Sequence, residues 1–216
     1  MKPRALLLAA AVAVGTASVA WRSSSRFSSE TVVANPIKPP EAAPLCPWRE
    51  PEADLKLFFP GANRHEVETR ILSGMRLELG RRLRRLPTGD ENALRLYPVY
   101  EDGARLGTIL TRRVKGEYGA IEIVLAVDTN RCVRGLRLQR LREPESIAGA
   151  LQGVQWQNSF VGKRVEDSWL LGSDVPGVPA EARASADAVV DGARSLMILL
   201  DTSERAPKSS PAEPHH

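Results

Sequence analysis

The stretch from Lys115 to Leu138, KGEYGAIEIVLAVDTNRCVRGLRL, decides the fold. Ala120 to Asp128 is almost continuously apolar: Ile121, Ile123, Val124, Leu125, Ala126 and Val127. A run that short, bounded by turn residues and rich in β-branched side chains, is a core strand. Asp128, Thr129 and Asn130 supply a turn, because Asp and Asn bond locally to the backbone and tolerate left-handed conformations. Cys132 to Leu138 then alternates, Val133, Leu136 and Leu138 against Arg134, Arg137 and Gln139, so a second strand returns beside the first, with Cys132 in it and open to burial. Gly135 interrupts the alternation and predicts a bulge. Gly116 and Gly119 flank Tyr118 just before the first strand, where missing Cβ atoms permit close backbone approach.

Outward from this hairpin the chain reads as α+β, a twisted antiparallel sheet flanked by helices. Leu94 to Tyr100 is a strand whose Pro98 implies an edge or a bulge. Glu101-Asp102-Gly103 is a hairpin turn, and Leu106 to Lys115 the strand after it. Upstream, Leu55 to Phe59 ends at Pro60-Gly61. Asn63 with Glu66 then forms a capping box for a helix on which Val67, Ile71, Met75, Leu79, Leu83 and Leu86 make a buried stripe, ended by Pro87. Arg81, Arg82, Arg84 and Arg85 crowd its last turn, where cations suit the helix dipole. They fit either a solvated helix end or a basic contact for anionic lipid or a partner subunit. Arg140 to Gln155 is a loop with a short helix from Ser146, Trp156 to Phe160 a helical turn, and Asp174 to Pro179 a proline-rich loop. Ala182 to Leu200 is a second helix, with Ala182, Ala186, Val189, Val190, Ala193, Met197 and Leu200 inward.

The ends of the 216-residue chain differ from its middle. Lys2 and Arg4 precede an apolar run from Ala5 to Trp21, and Ser18-Val19-Ala20 offers a small-residue cleavage site. This segment, 1–21, suits a cleaved signal peptide or an uncleaved membrane anchor. Residues 22–51, rich in Pro and Ser, form a linker; residues 52–202 form one domain; residues 203–216 form a disordered tail by composition. Either reading of the leader puts the domain on the extracytoplasmic, periplasmic face of the membrane. Nucleic acid is thereby set aside as a partner, although Arg70 to Arg142 holds 16 basic and 8 acidic residues.

Standard chemical motifs are missing. Cys46 and Cys132 form no CxxC or CxxCH; in an oxidising compartment they suit one disulfide. His65 reads as a surface residue, and His215 and His216 in the tail make no metal site. There is no P-loop, GxSxG or GxGxxG, and Glu166-Asp167 is an ordinary surface turn. No catalytic residue is assigned.

The order of segments carries a resemblance. LFFPGA at 57–62, VYEDGARLGTIL at 99–110, KGEYGAIEIVLAVD at 115–128, Glu143-Pro144, WQNSFVGK at 156–163 and ASADAVVDGAR at 184–194 together resemble the FMN-binding domain family. That family includes extracytoplasmic flavin subunits of Rnf-type and sodium-pumping quinone reductase complexes. The resemblance spans most of Leu57 to Leu200. It implies an electron-transfer module rather than a stand-alone enzyme, with the subunits of a membrane redox complex as partners and the N-terminal segment in the membrane.

The family's covalent flavin site departs here. Its acceptor threonine aligns with Arg183, which has no hydroxyl for a phosphoester, and Ser185 retains a hydroxyl two residues on. The family's Glu-Thr-Pro-Gly loop survives only as Arg142-Glu143-Pro144-Glu145. The resemblance therefore implies either FMN held without a covalent bond, with Arg183 on its phosphate near a helix N-terminus and Tyr118 and Trp156 against its ring, or no flavin at all. In the second case Arg183 faces solvent, Tyr118 and Trp156 are packing residues, and the chain is a non-catalytic accessory or assembly subunit.

Overall fold

The computed structural model describes residues 51–205. The leader, most of the linker, Cys46 with its suggested disulfide, His215 and His216 lie outside the described residues. The elements in order are α1 (Glu52–Phe58), β1 (Arg64–His65), β2 (Glu68–Ile71), α2 (Arg76–Leu83), β3 (Ala93–Glu101), β4 (Ala104–Lys115), β5 (Ala120–Asp128), β6 (Val133–Leu141), α3 (Glu145–Gln152), α4 (Val154–Asn158) and α5 (Arg183–Arg205). The strands form one six-stranded sheet, ordered β1-β3-β4-β5-β6, with β2 also paired to β3. Every pairing is antiparallel. The α+β reading holds.

β5 is buried on both faces, which is why it lacks the alternation of a half-exposed strand. Ile121, Ile123, Leu125 and Val127 face the larger core, shared with Leu110, Val189, Ala193 and Leu196. Val124 and Ala126 face a smaller core with Leu55, Phe59, Tyr97, Val99 and Ile109. The helix α5 lies against β4 and β5. Helix and strands are packed tightly at Gly192, where a Cβ would stand 2.6 Å from Val114 Cγ1 and 2.8 Å from Ile123 Cδ1. All seven predicted inner positions, Ala182 to Leu200, are buried. The helix continues through Arg205, past the predicted start of the tail, and Ser203 is buried with its hydroxyl donating to the Leu200 carbonyl at 2.7 Å.

The turns follow their sequence. β3 and β4 are joined by Asp102 and Gly103 at φ +49° and +86°, the two left-handed residues of a tight hairpin. After β5, Asp128 Oδ1 accepts from the backbone N–H of Asn130 at 2.8 Å and of Cys132 at 2.9 Å. That carboxylate keeps Cys132 in the turn, half-buried, rather than in a strand; β6 starts at Val133. The bulge falls where Gly135 predicts it, between the pairs Ala126–Gly135 and Val127–Val133. Pro98 is explained by the split edge. β1 pairs with Tyr100 and Val99, and β2 with residues from Leu96 to Ala93. The Pro98 carbonyl accepts from Glu66 N at 3.0 Å, so its missing N–H also faces the break.

The predicted helix from Asn63 is a correction. Residues 64–71 are the strands β1 and β2, and α2 begins only at Arg76 after a 3-10 turn at Ser73–Met75. Asn63 caps no helix: its Nδ2 donates to Asp102 Oδ1 at 2.8 Å, and its Oδ1 accepts from Asp102 N at 3.3 Å, tying the edge to the β3–β4 turn. Of the proposed stripe, Leu79 and Leu83 are buried and Met75 packs beside them, whereas Val67, Ile71 and Leu86 are exposed. The arginine run is also divided. Arg82 pairs with Asp201 at 2.7 Å, and Arg85 grips Glu91 through both its terminal nitrogens at 2.8 and 2.7 Å. Arg81 and Arg84 face solvent.

Candidate functional site

Three segments distant in sequence meet at one end of the sheet. The loop between β4 and β5, Gly116 to Gly119, closes on itself through Gly116 N to Gly119 O at 2.8 Å. It lies flush on the chain leaving β6. A Cβ on Gly116 would collide with the Glu143 carboxylate, and one on Gly119 with the Arg142 carbonyl. This is the close approach that the two glycines foretell. Because the backbones are so near, the Glu143 carboxylate accepts from the N–H groups of Tyr118 at 3.2 Å and Gly119 at 3.4 Å. On its other side the loop donates Glu117 N–H to Ser185 Oγ at 2.9 Å, in the first turn of α5. Glu143 and Ser185 thus clamp the loop between the end of β6 and the start of α5.

The four predicted cofactor residues are placed differently from one another. Ser185 is fully buried and its oxygen is engaged by Glu117. Trp156, on α4, is buried too: its indole N–H donates to the Pro176 carbonyl at 3.1 Å, and its ring meets Phe160 edge-on with centroids 5.2 Å apart. Phe160 in turn stands 6.1 Å from Trp169, so Trp156 belongs to an aromatic cluster pinning the 154–178 segment to the larger core. Tyr118 and Arg183 are exposed, each at 71%. Arg183 Nε stands 3.8 Å from Asp187 Oδ2, a surface pair one helical turn away. The Glu117–Ser185 bond brings the segments carrying Tyr118 and Arg183 together; Trp156 is held by separate contacts.

Covalently held FMN does not fit these residues. Arg183 has no acceptor hydroxyl, and the hydroxyl of Ser185 is buried and already bonded. The amides of Tyr118 and Gly119, donors suited to a phosphate, are turned onto the Glu143 carboxylate, whose negative charge opposes a second anion there. Sequence reasoning did not single out Glu143 and Glu117 as site residues. The signal available was the glycine pair, which announces a close neighbour without naming it. Among the described residues no group of three or more His, Cys, Asp or Glu is arranged to hold a metal ion.

Two clefts lie apart from this clamp. One of about 280 Å³ is lined by Arg105, Thr108, Asp128, Arg131 and Glu204. Another of about 190 Å³ is lined by Leu55, Lys56, Ala62 and Arg64. In the first, Arg131 is committed to Asp201 and Glu204 at 2.7 and 3.0 Å, and Arg105 donates to Thr108 Oγ1 at 2.5 Å.

No family model matches the chain, and none of the curated proteins does. Among solved structures the chain is similar to NqrC of Shewanella oneidensis, at 12% identity and a TM-score of 0.46, over 71% of this chain and 88% of that one.

Proposed function

We propose that this chain is an extracytoplasmic, membrane-anchored protein of FMN-binding-domain type, associated with a membrane electron-transfer complex and carrying no covalent flavin. The observation that carries the reading is the clamp. The KGEYGAIEIVLAVD stretch, Glu143-Pro144 and the ASADAVVDGAR stretch at 184–194, each part of the family resemblance, converge through Glu143 and Ser185. A contribution to electron transfer on this reading comes from a non-covalent FMN beside Tyr118 and Arg183, with the redox chemistry belonging to the flavin. Arg183 supplies a charge-assisted contact and Tyr118 an aromatic face.

A second reading, an accessory or assembly subunit without flavin, is favoured by one specific observation. The loop amides and the Ser185 hydroxyl are satisfied within the protein, so no buried polar group in the clamp waits for a ligand. An absorbance spectrum of the protein purified from its native membrane, before and after denaturation, separates the readings. Flavin bands released on denaturation support non-covalent FMN. A folded preparation without bands supports the accessory subunit. Bands retained by the unfolded chain overturn the assignment of Arg183 and Ser185.

A further inference from the structure

We propose that the outward face of α2 and the turn that ends it dock on an anionic membrane surface through Leu77, Arg81, Arg84 and Leu86. This proposal concerns residues 77–86 alone and does not depend on flavin content or on the partner complex. Leu77 and Leu86 are the two most exposed large apolar side chains among the described residues, at 81% and 87%. Leu77 and Arg81, four apart, lie on one side of the helix, and Arg84, exposed, ends it in a left-handed conformation at φ +58°. Leu86 follows just beyond it. Among the described residues neither Arg81 nor Arg84 has an ion-pair partner, and the only acidic residue of α2, Glu78, falls about a quarter-turn from Leu77.

The opposite face of α2 cannot rotate away. Leu79 and Leu83 are buried in the larger core. Arg82 reaches both Asp201 and Thr202, and Arg85 is held by Glu91 and Ser195. The alternation of inward and outward arginines is therefore fixed, and the exposed set is presented permanently. Two exposed aliphatic side chains with two unpaired arginines between them in the sequence suit a bilayer interface. Leucines enter the boundary between headgroups and acyl chains, and arginines meet lipid phosphates without a fixed geometry. A protein partner would have to strip water from both arginines and supply each with an acceptor of fixed geometry.

The test uses the full-length protein with vesicles of phosphatidylcholine alone or mixed with phosphatidylglycerol. Amide hydrogen exchange of segment 73–86 is followed by mass spectrometry. The expected result is exchange severalfold slower with phosphatidylglycerol than with phosphatidylcholine alone, the difference shrinking as salt is raised. Arg81→Glu with Arg84→Glu abolishes it, and Leu77→Ser with Leu86→Ser weakens it, with circular dichroism confirming that both variants are folded. Equal exchange in the two vesicle types overturns the proposal. So does protection that ignores salt, which points to a protein or self-contact instead. The wild-type salt dependence decides the matter even where a variant fails to fold.

Discussion

Glu91 and Asp54 are both buried carboxylates, and their surroundings move them in opposite directions. Burial pushes Glu91 up, but the paired donors of Arg85, the Thr88 N–H at 2.8 Å and Arg112 at 2.8 Å outweigh it and hold the carboxyl at about 2, below its ordinary 4.5. Thr88 and Glu91 also form a reciprocal capping box on the short 3-10 turn before β3. A depressed folded value means stability present above pH 4.5 and lost as pH falls toward 2, on the order of 3 kcal/mol. Glu91→Gln is expected to cost about 3 kcal/mol in urea unfolding at pH 7, because Arg85 and Arg112 lose their counter-charge in a buried place. Asp54 runs the other way. Burial raises its carboxyl, and the contacts from Arg137 at 3.0 Å and Gln139 at 3.3 Å only partly offset this. A raised acid favours folding at low pH and loses that contribution as pH rises through its ordinary and then its folded value. Asp54→Asn is thus expected to change stability at pH 7 by less than about 1 kcal/mol, since the amide oxygen still accepts a hydrogen bond. As pH rises above 3.8 the stability of the variant should increase relative to wild type, because a contribution that falls with pH has been removed; a relative decrease would contradict the assignment.

At the scale of elements, two glycines in helices predict opposite outcomes. Gly149, inside α3, is exposed, and a Cβ placed there would meet nothing within 4 Å. Gly149→Ala should raise stability by about 0.5–1 kcal/mol, because alanine loses less backbone entropy in a helix. Gly192 is the contact point of α5 on Val114 and Ile123. Gly192→Ala should lower stability by roughly 1–3 kcal/mol by forcing the helix off the sheet. Thermal unfolding of the two variants side by side checks both signs. The same scale explains the misread helix. Spacings of four, such as Val67 to Ile71, put side chains on one face of a helix and equally on one face of a strand, whose period is two. The pattern from Val67 to Leu83 is therefore ambiguous until β3 offers an edge. Residues 68–71 take that edge, and the helical reading survives only from Arg76 onward.

For the whole molecule, the arginine excess is largely internal wiring. Asp201, near the end of α5, receives Arg82 from α2 at 2.7 Å, Arg131 from the β5–β6 turn at 2.7 Å and Arg205 at 2.9 Å. Glu122, fully buried on β5, stands 2.5 Å from Arg113 and 3.7 Å from Arg140. Asp201→Ala should lower stability by about 3 kcal/mol, leaving partly buried Arg82 without its carboxylate, and should shift the urea midpoint without splitting the transition. A second transition would show that α2 and α5 unfold separately.

What the sequence determined by itself was local. The apolar run of β5, the left-handed Asp102-Gly103 turn, the Gly135 bulge and the inner face of α5 each follow from residues within a few positions of one another. Periodicity and turn chemistry need nothing further. What only the tertiary structure decided was which distant group occupies each local opportunity. Gly116 and Gly119 announce a close approach, but not that Arg142 and Glu143 make it. Four neighbouring arginines announce positive charge, but not that Arg82 and Arg85 point inward to Asp201 and Glu91 while Arg81 and Arg84 point out. Ser185 has the same hydroxyl in either setting, and only folding turns it into a buried acceptor for Glu117. Glu91 aside, which is six residues past Arg85, the deciding partner lies far along the chain, and a distance between such groups exists only once the sheet and helices have packed.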